Sequence, residues 1–487
     1  MSSSTATPLV IPPKALRKLD DAIPPLLRPL IRAYVLGYAS AVTPRVLTLV
    51  MQYVNRRRKG KGTVTAKVTR SFIASLQRIL RGGLELRRFP AFCAALVGGS
   101  TLLEVLLGKV LSRLLNGQLT SLVQKRLARG LSGFVAAWLS LQLLQSSKSD
   151  EFLETASIDF QSKQVKVEKA GRTLDLTLFA ATRALDVIVG ELWARAEQHR
   201  PTAGQRAWVE SMMAKIADPS VFAASSSLIM WAWFYAPFQL PKSYQKWIEQ
   251  AAAVDPRLVE ALRLCRSGEI RYGEDTGKAS LLESMCADFK WPLEWGDPFK
   301  SIPFPCEMVH MGSGPSCERH AISRFYNSFK WSMATYFPLS FAGRKKDLGG
   351  LKKSLLSSAR SSSFLAAFIA LFYYGVCLAR TRIGPHILGK DTKCRQMIDE
   401  GLCVGSGCFM CGWSIFLETV ARQKELALFV APKALATLLP RRYSTDKQWR
   451  ETFVFAFSSA VVFTFVRENP KRVRGILGNV MGSVLEP

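Results

Sequence analysis

Eight apolar stretches, each close to the length of a bilayer crossing, constrain this chain more than any other feature. Phe89 to Leu107, Leu127 to Leu144, Leu174 to Leu192 and Val221 to Leu240 come first, and Phe364 to Leu378, Gly401 to Leu417, Leu426 to Leu439 and Phe453 to Val466 follow. A helix needs about 20 residues, at a rise of ~1.5 Å each, to cross roughly 30 Å of hydrocarbon. The first four stretches are adequate or slightly short; the last four are shorter and call for tilt or local thinning of the bilayer. Helix is the expected state, because a lone segment in lipid must satisfy its own backbone groups. The sequence therefore predicts an all-α fold: a polytopic helical membrane protein with two four-helix blocks.

The blocks give the chain its expected domains. Residues 1–88 form a basic N-terminal region, in which Leu30 to Val54 reads as a poor span or a surface helix because Arg32, Pro44 and Arg45 interrupt it. The first membrane block is 89–244. A linker region, 245–358, contains a Cys/His segment, 303–341, that is soluble or interfacial, and the second block with a basic tail is 359–487.

The formal charge of +29 suits nucleic acid or anionic lipid, and the placement of the charge favours lipid. Arg56, Arg57, Arg58, Lys59 and Lys61 precede the first block, and Arg344, Lys345, Lys346, Lys352 and Lys353 precede the second. Each such residue contributes about 1 kcal/mol near an anionic surface. No zinc-finger array or RNA-binding signature accompanies them, so membrane lipids, and no nucleic acid, are the expected partners. Met1 to Pro13 lacks the pattern of a secretory signal, and Val484 to Pro487 matches neither a luminal retention tail nor a peroxisomal matrix tail. Ten cysteines spread over 487 residues read as reduced thiols rather than a disulfide scaffold.

The two blocks share residues as well as segment number. Asp175, Leu176, Leu178, Phe179, Ala181, Arg183, Ala184 and Leu185 align with Glu425, Leu426, Leu428, Phe429, Ala431, Lys433, Ala434 and Leu435 at a constant offset. In the next segment Ser226 and Ser227 fall opposite Ser458 and Ser459, and with a short gap Pro241 and Lys242 fall opposite Pro470 and Lys471. This is the pattern of an internal repeat.

Three constellations carry chemistry. Cys306, His310, Cys317 and His320 place two thiols and two imidazoles within fifteen residues, a set that a tetrahedral zinc ion accepts. A Cys306 to Cys317 disulfide and plain packing are the other readings. Cys403, Cys408 and Cys411 lie among glycines in an apolar stretch, where tight helix contact explains them better than redox chemistry. Gly130, Gly133, Gly401 and Gly405 are the packing glycines of that argument. The third set is ionisable: Glu104, Arg183, Asp186, Glu191, Glu418 and Lys433 lie within apolar stretches. Charge at that depth costs a few kcal/mol, so Glu104, Arg183, Asp186 and Lys433 are expected at a polar interface.

Ser362, Ser363, Phe364 and Leu365 opening one segment, the Gly-rich segment after it, and Lys433, Ala434 and Leu435 closing a third resemble the transmembrane protein 135 family. So do Pro305, Cys306, Val309, His310, Ser316 and Cys317, followed by Trp331, Tyr336, Pro338 and Leu339. The family's membrane blocks are in turn similar to the four-helix unit of the Tim17-type translocase superfamily. Here the cysteine-rich segment lies between the blocks rather than ahead of them.

The resemblance implies a multi-pass protein of the peroxisomal membrane, or alternatively the mitochondrial membrane. It would act as a scaffold or regulator in organelle dynamics and lipid homeostasis, with organelle-membrane proteins or a second copy as partners. The alternative is a conduit for lipid, metabolite or polypeptide framed by the two blocks. An enzyme is not expected, since no phosphate loop, nucleophile elbow, dinucleotide fingerprint or metalloprotease helix occurs.

Overall fold

Helices form along the apolar runs, and most extend past them at one end or both. The computed structural model describes residues 23–59, 66–114, 120–147, 152–157, 164–198, 205–342 and 347–485. Met1 to Pro13 and the basic residues Lys61, Arg344, Lys345 and Lys346 lie outside the described residues.

In chain order, α1 (Arg28–Lys59), α2 (Ala66–Gly83), α3 (Phe89–Leu114) and α4 (Ser121–Gln145) precede a hairpin of β1 (Leu153–Ser157) and β2 (Gln164–Glu168). Its strands are antiparallel, with Leu153 opposite Glu168. This ribbon and an isolated antiparallel bridge between Ala170 and Tyr443 are the departures from an all-helical fold among the described residues. Next come α5 (Leu174–Gln198), α6 (Gln205–Tyr235), α7 (Lys242–Ala252), α8 (Pro256–Ser267) and α9 (Ala279–Phe289). The short α10 (Cys306–His310) leads into α11 (Cys317–Ala342) and the 34-residue α12 (Leu348–Thr381). Helical turns at Ile383–Ile387 and Thr392–Met397 and a π-turn at Ile398–Leu402 connect to α13 (Cys403–Cys411). The chain continues through α14 (Val420–Ala436), α15 (Gln448–Glu468) and α16 (Ile476–Leu485).

Among the described residues, six helical segments are long and apolar enough to cross a membrane: Arg28–Val54, Phe89–Leu114, Ser121–Gln145, Leu348–Ile387, Thr392–Leu417 and Thr445–Glu468. The chain is thus a helical multi-pass membrane protein. The stretches at Leu174 to Leu192, Val221 to Leu240 and Leu426 to Leu439 fold as helices without meeting that test. Charge explains the first, with Asp175, Arg183, Asp186 and Glu191 in α5, and in the second Asp218, Ser225, Ser226 and Ser227 dilute the apolar half of α6. Length explains the third, since α14 has 17 residues.

Contacts divide the described residues into two units, at Pro201/Thr202 and at Pro440/Arg441. In the unit of Val10–Pro201 with Arg441–Pro487, α3 packs on α1 and α4, and α15 packs on α4 and α5. Phe92 meets Phe455 at 5.9 Å between ring centroids, beside buried Ala137, Leu141 and Ala456. Gly133 lets α4 approach α15 closely, since a Cβ there would lie 3.2 Å from the Ala460 Cα. The late segment is also tied by backbone bonds between Ala170 and Tyr443, at 2.8 and 3.2 Å, and by Thr173 and Tyr443 hydroxyls donating to the buried Glu451 carboxylate.

In the unit of Thr202–Pro440, α12 is the central helix, flanked by α11 and α13, while α6 packs on α13 and α14. The closest approach is backbone to backbone. A Cβ on Gly375 would lie 2.9 Å from the Gly407 Cα, and one on Gly412 would lie 2.5 Å from the Ala223 Cα. Helices α7 to α9 pack with the ends of α6 and α12 in one continuous core that includes Trp233, Leu262, Met285, Met308 and Tyr373.

Candidate metal centre

The segment before α11 is wound so that three of its side chains converge. Pro305 opens α10, and Cys306 and His310, four residues apart, share one face of that single turn. Met311, Gly312 and Gly314 then take positive φ angles of 47°, 82° and 93°. The chain doubles back, and His310 Nδ1 donates to the Gly314 carbonyl at 2.7 Å. Ser316 Oγ accepts from the Arg319 amide at 3.2 Å and so caps α11, whose first residue is Cys317. The fourth member, Cys377, comes from the far end of α12.

Cys306, His310, Cys317 and Cys377 each offer one ligand atom, and all four atoms lie within 4.8 Å of one another. Cys306 Sγ is 3.9 Å from Cys317 Sγ and 3.7 Å from Cys377 Sγ. His310 Nε2 is 3.6 Å from Cys306 Sγ and 3.4 Å from Cys377 Sγ. A tetrahedron around Zn²⁺, with Zn–S of ~2.3 Å and Zn–N of ~2.05 Å, has edges of about 3.8 Å between sulfurs and about 3.6 Å from sulfur to nitrogen. The four observed separations match those edges. The bond from His310 to Gly314 fixes the tautomer that leaves the Nε2 lone pair facing the sulfurs, the usual outer support of a metal-bound histidine.

Electrostatics prepare the same atoms. The Cys306 thiol is pulled down to about 4 by the Cys377 thiol beside it, helped by the His310 ring and the Arg380 guanidinium and opposed by burial. Thiolate is the form that binds metal. Burial and the neighbouring Cys306 charge raise Cys317. Burial opposes the charged form of His310, but its contact with Cys306 outweighs that and leaves it raised.

His320 does not belong to this group. Its ring stacks on that of His310 at 4.7 Å and 23°, with Tyr373 edge-on at 5.0 Å, and its two nitrogens are buried without a hydrogen-bond partner among the described residues. Burial, with His310 and Arg324 adding, holds it down to about 3. It is a neutral packing ring, and Cys377 stands where the sequence suggested His320. The disulfide reading also falls, because all ten cysteines are free and 3.9 Å is far beyond the ~2.05 Å of an S–S bond.

Beside the cluster lies a buried ion pair. Arg380 donates to Asp399 from Nε at 2.7 Å and from Nη2 at 3.0 Å, with side-chain exposures of 2% and 1%. Its Nη2 also donates to the Phe304 carbonyl at 2.9 Å, and its guanidinium lies 4.1 Å from the Phe304 ring centroid. The Tyr272 hydroxyl donates to Asp399 at 2.5 Å. Burial first, then the Asp399 charge, pushes that hydroxyl well up.

The other sequence candidates are accounted for individually. Glu104 pairs with Arg129 at 3.0 Å and Arg467 at 2.8 Å. Asp186 pairs with Arg474, and Arg183 donates to the Arg474 carbonyl at 3.2 Å while lying 5.1 Å from the Phe179 ring. Lys433 belongs to the other unit, where its ammonium is 4.1 Å from the Phe429 ring and 4.7 Å from the Tyr244 ring. Of the packing glycines, Gly133 sits at a close contact. Gly130 and Gly405 do not, with their nearest neighbours at 3.8 and 3.7 Å, and Gly401 faces the Arg266 side chain. Compared with protein-family models, curated proteins and solved structures, the chain matches none.

Proposed function

We propose that this chain is a non-enzymatic, multi-pass protein of the peroxisomal membrane, with the mitochondrial membrane as the alternative, acting as a scaffold or regulator in organelle dynamics and lipid homeostasis. In this reading the Cys306, His310, Cys317 and Cys377 centre holds a structural zinc ion. The observation that supports a structural rather than a catalytic ion is the number of ligands. Four protein side chains fill a tetrahedral site, leaving no position for water or substrate, which is the mark of structural zinc. The organelle rests on the residues that resemble the transmembrane protein 135 family.

The repeated-block reading has support in the packing. Helices α3, α4 and α5 are completed by α15, and α12, α13 and α14 are completed by α6. The sequence alignment pairs α5 with α14 and α6 with α15, so the two units use equivalent helices and exchange their fourth. A conduit is less favoured, because Glu104 and Asp186 are taken up in ion pairs within their own unit.

The test is microscopy of a tagged copy against peroxisomal and mitochondrial markers, with organelle number and shape recorded in a deletion strain. Exclusive labelling of either organelle with altered number or shape is the expected result. Normal morphology would move weight to the conduit, and a nuclear or secreted signal would overturn the reading.

A further inference from the structure

A large apolar cavity lies in the Thr202–Pro440 unit, separate from the metal centre. Its volume is about 380 Å³ and it is partly open to the outside. That is within the roughly 300–1,000 Å³ of ligand pockets and more than twice the ~150 Å³ that accepts a benzene ring. The walls are faces of α6, α12 and α14, carrying Phe222, Ile229, Phe364, Ile369 and Leu426 among others, and α7 closes one side with Ile248, Ala251 and Ala252.

Few polar groups face it. The Tyr373 hydroxyl is already spent on the Ala252 carbonyl at 3.0 Å, which ties α7 to α12 across the cavity. Ser226, Tyr244 and Tyr336 supply the remaining hydroxyls. A ligand body that is polar along its length would lose its hydration here without replacement, so the occupant must be apolar over most of its length.

One end differs. Tyr244 and Phe429 both line the cavity, and the Lys433 ammonium lies against both rings. Tyr244 also stacks on Trp247, at 6.0 Å and 3°, and Trp247 is exposed. Lys242 and Lys246 are exposed on the same helix. Aromatic rings beside lysines are the pattern seen where apolar and aqueous surroundings meet, and here they give the cavity an apolar interior and a cationic rim.

We propose that this cavity binds a single long-chain fatty carboxylate, its chain lying among α6, α12 and α14 and its carboxylate at Lys433. The volume admits one chain, the walls accept only hydrocarbon, and the rim charge selects an anionic end. The assignment rests on the multi-pass reading but not on the organelle or on zinc.

The test uses the full-length protein in lipid nanodiscs and a photoreactive diazirine palmitate, with labelled peptides mapped by mass spectrometry. Labelling is expected within α6, α12 and α14. Oleate should compete about tenfold better than oleyl alcohol, as a charge-assisted contact predicts, and Lys433→Gln should abolish that difference. Ile369→Trp and, separately, Ala251→Phe fill the space and should each remove labelling while the unfolding temperature is kept. Labelling confined to lipid-facing residues outside the cavity, labelling unchanged by both filling variants, or stronger competition by a sterol or a diacyl phospholipid would each overturn the proposal. Equal competition by oleate and oleyl alcohol would overturn the role of Lys433. Failure here leaves the microscopy result untouched, so the two readings fail separately.

Discussion

His310 and Gly314 hold each other across a single turn: the imidazole Nδ1 donates to the carbonyl at 2.7 Å, and Nε2 is thereby aimed at the sulfurs of Cys306 and Cys377. Purified protein is expected to carry about one zinc ion per chain by elemental analysis. Cys377→Ser and His310→Ala should lose most of it, and His320→Gln should keep it. Chelation should lower the unfolding temperature of the parent and leave that of Cys377→Ser unmoved, because only the folded parent is linked to metal.

The Arg380–Asp399 pair sets a second expectation. Removing one partner leaves a buried charge alone, at a cost of about 3–5 kcal/mol, whereas replacing both by apolar side chains is often neutral. Arg380→Met should therefore be strongly destabilising, and Arg380→Met with Asp399→Leu should recover most of the loss. Denaturant unfolding in detergent micelles checks both, with the difference between single and double variants as the decisive quantity.

Backbone contact between α12 and α13 predicts unequal tolerance among glycines. Gly407→Val pushes a side chain toward the Phe372 carbonyl, 2.7 Å from its Cβ position, and should cost about 1–3 kcal/mol from overpacking. Gly405→Ala, with its nearest neighbour at 3.7 Å, should fall within about 0.5 kcal/mol of the parent. Thermal unfolding of the two variants side by side is the measurement.

Asp255 caps α8 by accepting from the Arg257 amide at 2.9 Å, and the Arg257 side chain holds its carboxyl below the ordinary value. A carboxyl lowered on folding stabilises the folded state fully above its ordinary pKa and loses that contribution as pH falls through the lowered value. Asp255→Ala should cost about 1 kcal/mol at neutral pH. Asp255→Asn should keep most of the cap but lose the acid-dependent part. Hydrogen exchange at Leu258 and Val259, whose amides face the Asp255 carbonyl, reports it locally.

The helices were legible because apolar runs of near-membrane length leave the backbone no other state. Cys306, His310 and Cys317 were legible because their spacing puts them within one turn and the next helix start. Cys377 was not: it follows sixty residues later inside an apolar helix, where one cysteine looks like any small residue. His320 drew attention because it lies three residues after Cys317 on the same helical face, yet it stacks rather than points inward. Arg380 and Asp399 are nineteen residues apart, on either side of a helical turn, and neither carries a local sign that the other is its partner. The packing of α15 on α4 and α5, and of α6 on α13 and α14, was equally hidden, since the order of helices along a chain says which follow one another and not which pack.

The packing of the late α15 on the early α4 and α5 has a consequence for biosynthesis. The described residues of the Thr202–Pro440 unit follow one another along the chain, and it has all its described helices once α14 has been made, whereas the other unit opens early and closes late. Until α15 emerges, Phe92, Ala137 and Leu141 on α3 and α4 have no Phe455 or Ala456 to cover them. Early helices must therefore wait in the membrane, shielded by lipid or by an insertion factor, through the synthesis of the entire middle of the protein. A premature stop before Gln448 would release a chain whose middle is complete and whose beginning is not.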